Sequence, residues 1–153
     1  MITKTNLVLL ISWVLILTAC EKNTPEEQAP QTTVEQLLTA KTWKYNEYFT
    51  NYTLTTATVS YKLGKPNNEI DLSQNRVSFK PDNSYSEITQ AGDTLKGTWR
   101  LLQNESELEV KNSLGTFRSK LIILNSTNLV WFDEQRNIFA RMLPADFNQL
   151  PSV

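Results

Sequence analysis

From Thr42 to Pro144 turn residues interrupt the chain at short intervals, and no helical run separates them. Spacing of about 8–12 residues between turn signals indicates antiparallel neighbours rather than strand–helix–strand units. The segments 43–49, 76–80, 85–90, 95–102, 107–111, 116–124, 129–132 and 138–143 each read as a strand, and the Thr-, Val- and Tyr-rich stretch 54–62 adds another. Pro81-Asp82-Asn83-Ser84 is a strong turn sequence between two of them. In Glu107-Leu108-Glu109-Val110-Lys111 the alternation is clean, so Leu108 and Val110 face a core while Glu107 and Glu109 face water. An up-and-down meander of eight or nine strands leaves two unpaired edges unless it closes, and closure into a barrel removes them. A two-sheet sandwich is the competing arrangement.

Only one helix is expected. Thr33 stands three residues before Gln36, the spacing of a capping box, and Val34, Leu37 and Leu38 fall on one face. A helix this short is unstable alone, so that face must lie against something apolar.

The N-terminal region has a different character. Lys4 precedes residues 7–17, eleven positions in which Ser12 is the only small polar interruption. A short apolar run behind a positive charge reads as a secretory signal, whereas a membrane-crossing helix needs roughly 20 apolar residues. Leu17-Thr18-Ala19-Cys20 closes the run and resembles the lipobox of bacterial lipoproteins. That resemblance implies diacylglycerol on Cys20, cleavage before it, and anchoring to a lipid bilayer through the acyl chains. The tether after Cys20 carries Pro25 and Pro30 and no large apolar residue up to Thr33, a composition unable to bury enough surface to offset its ordering entropy. The expected organisation is a cleaved signal over 1–19, a lipidated cysteine and tether over 20–33, and one folded domain over 34–153.

Composition narrows the function. The 153-residue chain has a net charge of −1, which gives no drive toward nucleic acid. It contains no histidine and a single cysteine. The commonest general base and metal ligand is therefore missing, and no internal disulfide can form. The four glycines are scattered and form no phosphate cradle. No cofactor, no metal site and no enzymatic activity are expected.

Four segments stand in order along the chain: the short helix leading to Thr42-Trp43-Lys44, the hairpin Val77-Ser78-Phe79-Lys80-Pro81-Asp82-Asn83-Ser84-Tyr85, Gly97-Thr98-Trp99-Arg100, and Leu121-Ile122-Ile123-Leu124 followed by Asn128-Leu129-Val130-Trp131. Together they resemble the lipocalin-like domains of bacterial lipoproteins, a Bacteroidetes-type group within the calycin superfamily. Lipocalins proper begin with Gly-x-Trp, whereas Lys41 stands before Thr42-Trp43 here, so the likeness is to the bacterial group. The resemblance implies an all-β antiparallel up-and-down barrel of about eight strands, with the helix capping one end and Trp43 as a plug beneath it. Trp43, Tyr45, Phe79, Trp99, Phe117 and Trp131 are the candidate interior residues for a ligand, and Phe132 and Phe139 are expected in the core as well. The long connection 51–75 is the candidate functional loop, because loops beyond about 12–15 residues commonly form lids or binding edges. The implied function is a lipid-anchored cell-envelope protein, at the outer rather than the inner membrane, that binds a small hydrophobic or amphipathic ligand. The alternative is a filled barrel that presents 51–75 to a protein partner.

Overall fold

The computed structural model describes residues 32–52 and 57–147. The expected signal segment, Cys20, nearly all of the tether and the start of the 54–62 strand lie outside the described residues.

Helix α1 (Val34–Thr39) begins as its sequence dictates. The Thr33 hydroxyl accepts from the Gln36 N–H at 3.1 Å, and the Gln36 side chain accepts from the Thr33 N–H at 2.9 Å. Among the described residues nine strands follow: β1 (Thr42–Thr50), β2 (Thr58–Lys62), β3 (Arg76–Phe79), β4 (Ser84–Ile88), β5 (Thr94–Leu102), β6 (Glu107–Asn112), β7 (Gly115–Leu124), β8 (Leu129–Asp133) and β9 (Ile138–Pro144). From β3 to β9 each strand pairs antiparallel with the next. Strand β9 then returns to β1, from Trp43 opposite Pro144 to Phe49 opposite Phe139, and closes the sheet into a barrel. This closure excludes the sandwich.

Nine strands make eight staves. On its second edge β1 takes β3 at Thr42 and Trp43 and β2 from Glu47 to Thr50. Strands β2 and β3 are thus two halves of one stave, broken by the 63–75 loop. Eight staves enclose an interior just wide enough to be filled by side chains or to hold one small ligand.

The period of two decides most side-chain directions, and bulges decide the rest. Along β5, Leu95, Gly97, Trp99 and Leu101 are the more buried set in the alternation. In β1 the register slips between Tyr45 and Glu47. Asn46 is the extra residue, and a bulge of this kind shifts the parity so that Tyr45 and Tyr48 both face inward. Their rings meet edge to face at 5.9 Å. The turn at 80–83 is fastened by Asp82 Oδ1, which accepts from the Ser84 N–H at 2.9 Å, and by Asn83 at a φ of 63°.

The end beneath α1 is packed solid. Leu38, Trp43 and Leu129 are fully buried there, with Trp99 and Met142 close to it in exposure. The opposite end carries Asn51 and Tyr52 after β1 and the turns at 89–93, 113–114 and 134–137. The 63–75 loop reaches the same rim: the Gln90 side chain accepts from the Gln74 N–H at 3.1 Å and donates to Asp71 at 2.9 Å.

Two expectations need correction on the outer surface. Phe132 and Phe139 do not enter the interior. They point outward with Phe49 and Tyr52, and Tyr52 stacks on Phe139 at 4.3 Å. The reason is parity, since Trp131 and Ala140 take the inward positions beside them. Glu109 does face out, as its alternation predicts, but it is not freely solvated. Arg100 and Arg118 lie directly across from it on β5 and β7, and its two oxygens accept from their Nε atoms at 2.6 and 2.7 Å.

The hydrogen bonds from Arg100 and then Arg118 hold the Glu109 pKa below its ordinary 4.5. A depressed pKa means the ionised form stabilises the fold above pH 4.5, and that contribution is lost as pH falls through the folded-state value. In urea titrations Glu109→Gln should lower the unfolding midpoint at neutral pH, and the gap from wild type should narrow as pH falls below 4.5. A gap that stays constant with pH would show that the carboxylate gains nothing from its two partners.

Candidate ligand-binding cavity

Above the packed floor the barrel is open. A cavity of about 300 Å³ occupies its upper half, at the lower end of the size range of small-molecule sites. Each wall follows from strand parity. Strand β3 contributes Val77 and Phe79, β4 Tyr85 and Glu87, β6 Leu108, Val110 and Asn112, and β7 Phe117 and Ser119. Tyr45 and Tyr48 come from the bulged strand β1, Trp131 from β8 and Met142 from β9. Ile70 and Leu72 of the 63–75 loop, Leu95, Leu114 and Arg136 complete the lining toward the rim. Leu114 is 69% exposed and forms an apolar lip at the opening.

The six candidate residues divide into two layers. Tyr45, Phe79, Phe117 and Trp131 line the cavity. Trp43 and Trp99 do not. Trp43 is fully buried and its indole donates to the Leu38 carbonyl at 3.0 Å. Trp99 donates to the Lys80 carbonyl at 2.9 Å and meets Phe79 edge to face at 5.7 Å. Both belong to the floor, where each indole N–H finds a backbone carbonyl as its buried acceptor.

Two charged groups in the lining were not anticipated from the sequence. Glu87 accepts from the Tyr85 hydroxyl at 2.7 Å and from the Asn75 amide at 3.0 Å. Its signal was available, because Tyr85 and Glu87 are two apart on one strand and must share a face. The same parity, counted from Val110 and Phe117, reaches Asn112 and Ser119. Arg136 lies in the β8–β9 turn and carries no periodic signal. Its guanidinium sits 4.3 Å from the centre of the Phe117 ring, and its Nε donates to Asp133 at 2.7 Å. Asp133 is only 2% exposed, because it is the next inward position after Trp131 and Arg136 covers it.

Burial keeps the tyrosines neutral. Burial is the main cause raising the Tyr45, Tyr48 and Tyr85 hydroxyl pKa values above their ordinary 10.0. Among charged groups Glu87 acts most on Tyr45 and Tyr85, and Arg136 acts most on Tyr48. The tyrosines therefore stand between an acidic side and a basic side. Among the described residues no cluster of three or more Cys, Asp or Glu side chains could hold a metal ion.

An eight-stave, up-and-down antiparallel barrel with a helix over one end and a cavity at the other has a lipocalin-like fold. Solved structures bear out the fold. The chain is similar to a DUF4847-family protein from Bacteroides vulgatus, with a TM-score of 0.54 and 14% identity over 76% of this chain and 100% of that one. It is similar to a lipocalin-like protein from Bacteroides uniformis, at 0.50 and 14% identity over 71% and 98%. An uncharacterised protein from Bacteroides eggerthii aligns at 0.51 and 10% identity over 68% and 97%. At these identities the likeness is one of fold. No protein-family model matches the chain, and no curated protein matches it.

Proposed function

We propose that this chain is a lipid-anchored protein of the bacterial cell envelope whose barrel binds a small hydrophobic or amphipathic ligand. The observation that carries the binding half is the open cavity of about 300 Å³, walled by apolar and aromatic side chains and reached past Ile70, Leu72 and Leu114. Such a shape, mostly apolar with a few placed polar groups, is what a small-molecule site requires. The anchoring half rests on the apolar run that ends at Cys20, and acyl chains on that cysteine would hold the domain at a membrane surface, outer rather than inner. The alternative of a filled barrel presenting 51–75 to a protein partner is weaker, because the upper interior is not filled.

The test uses the whole chain in phosphatidylcholine nanodiscs. Indole fluorescence is followed while fatty acids, isoprenoids and short alkyl amphiphiles are added, with empty discs as the control. Saturable quenching is expected, and it should shrink in Trp131→Phe because that indole lies in the wall. A flat response to every probe would remove the binding reading. Mass spectrometry of the protein recovered from a bacterial membrane should show acyl mass on Cys20, and an unmodified Cys20 would remove the anchor.

A further inference from the structure

We infer that the cavity selects a basic amphiphile, an organic amine or quaternary ammonium on an apolar body, with its cationic centre at Glu87 among the tyrosines. The inference rests on the ligand-binding reading above and specifies the ligand's charge.

The polar groups of the lining are unevenly matched. Arg136 is already engaged: its Nε bonds to the buried Asp133 at 2.7 Å, and its guanidinium lies over the Phe117 ring. Glu87 has no such counter-charge. Both its donors, Tyr85 and Asn75, are neutral, and among the described residues none of the ion pairs includes it. Glu87, Arg136 and Asp133 together leave one carboxylate in excess. Acceptors are in excess around Glu87 as well. The Asn75 amide is committed to Glu87, and its carbonyl oxygen is buried with no donor among the described residues.

A carboxylate held in a partly apolar cavity favours a cation and opposes an anion. The rings around it act in the same sense. Tyr85 touches the carboxylate directly, Phe79 lies 5.5 Å from the Tyr85 ring, and Tyr45 feels Glu87 more than any other charged group. Aromatic faces carry negative potential, and several of them around one point make a favourable seat for an ammonium group. The apolar body of the ligand would lie along Val77, Val110 and Leu95 toward the lip at Leu114, all of which line the same cavity. An anionic amphiphile would have only Arg136 to greet it, and Asp133 already neutralises that charge.

Three probes with the same tail decide the matter: octyltrimethylammonium, octanol and octanoate, titrated into the whole chain in phosphatidylcholine nanodiscs against empty discs. The ammonium should bind about tenfold more tightly than octanol, and octanoate should bind more weakly than octanol. Glu87→Gln keeps an acceptor for Tyr85 while removing the charge. It should bring the ammonium to within about twofold of octanol and leave octanol unchanged. Octanoate binding most tightly, or the ammonium and octanol binding equally to the wild type, would overturn the inference while leaving the cavity a binding site. No saturation by any of the three would instead remove the binding reading itself. The wild-type series separates these outcomes even if the variant folds poorly.

Discussion

Trp43→Ala should cost the domain about 3–5 kcal/mol, the range for truncating a large buried aromatic, against a total stability of about 5–15 kcal/mol for domains of this kind. Trp43 is fully buried, and three structural tasks converge on it. Its backbone sits where β1 pairs with both β3, through Val77, and β9, through Pro144. Its ring fills the closed end below α1 in contact with the core. Its indole N–H also satisfies the carbonyl of Leu38 in the last turn of the helix, at 3.0 Å. Alanine removes the volume and the donor together, so the helix loses both its seat and its tether. Trp43→Phe separates the two, since it restores most of the packing without the donor. It should cost about 1–3 kcal/mol, roughly the penalty of leaving one buried acceptor unsatisfied. Urea unfolding followed by circular dichroism gives both numbers. Equal losses for alanine and phenylalanine would mean that the hydrogen bond, not the packing, carries the effect.

Trp43 also shows what the sequence makes legible. A capping box, an apolar helix face and a tryptophan four residues past the helix are local features, and the fold uses them as written. The strand pattern is equally local, because turns and alternation are set by neighbouring residues. What cannot be read is whatever depends on register across strands. The extra residue Asn46 changes which side chains β1 turns inward, so Tyr48 joins Tyr45 in the cavity. A second slip between Leu121 and Ile123 does the same to β7, and Ile122 and Ile123 are left exposed. Adjacent aromatics such as Trp131 and Phe132 cannot both face in, and hydrophobicity alone does not choose between them. The Arg100–Glu109–Arg118 clamp appears only once β5, β6 and β7 are in register. Arg136 had no signal, because a turn residue reaches the cavity through the shape of the closed barrel. The loop 51–75 was recognisable as unusual by its length. Its division into half a stave and a rim segment depends on both halves finding the same edge of β1.

Gly97→Ala should be the most damaging small substitution in the barrel, costing about 3 kcal/mol or more. Gly97 occupies an inward position on β5, opposite Tyr85 on β4 and Asn112 on β6. A methyl group there would lie 2.0 Å from the Lys111 carbonyl oxygen, 2.9 Å from its carbonyl carbon and 3.0 Å from Asn112 Cβ. The obstructing atoms at the two shortest distances are backbone, so no rotamer change relieves the clash. Either β5 or β6 must move, and the Thr98–Lys111 and Trp99–Val110 pairings beside it move too. Glycine inside a strand marks such close approaches, and barrels use them to turn a sheet tightly enough to close. Gly92→Ala is the control. It lies in the β4–β5 turn at a φ of +86°, with nothing within 4 Å of the added carbon. It should cost only about 1–2 kcal/mol, the strain of a left-handed residue. The difference between the two urea midpoints isolates the steric term from the conformational one. If Gly97→Ala is no worse than Gly92→Ala, β5 and β6 are not held as closely as the barrel requires. Because Gly97 lies between Leu95 in the cavity wall and Trp99 in the floor, any Gly97→Ala protein that does fold should also bind cavity ligands more weakly. Gly92→Ala should leave that affinity unchanged.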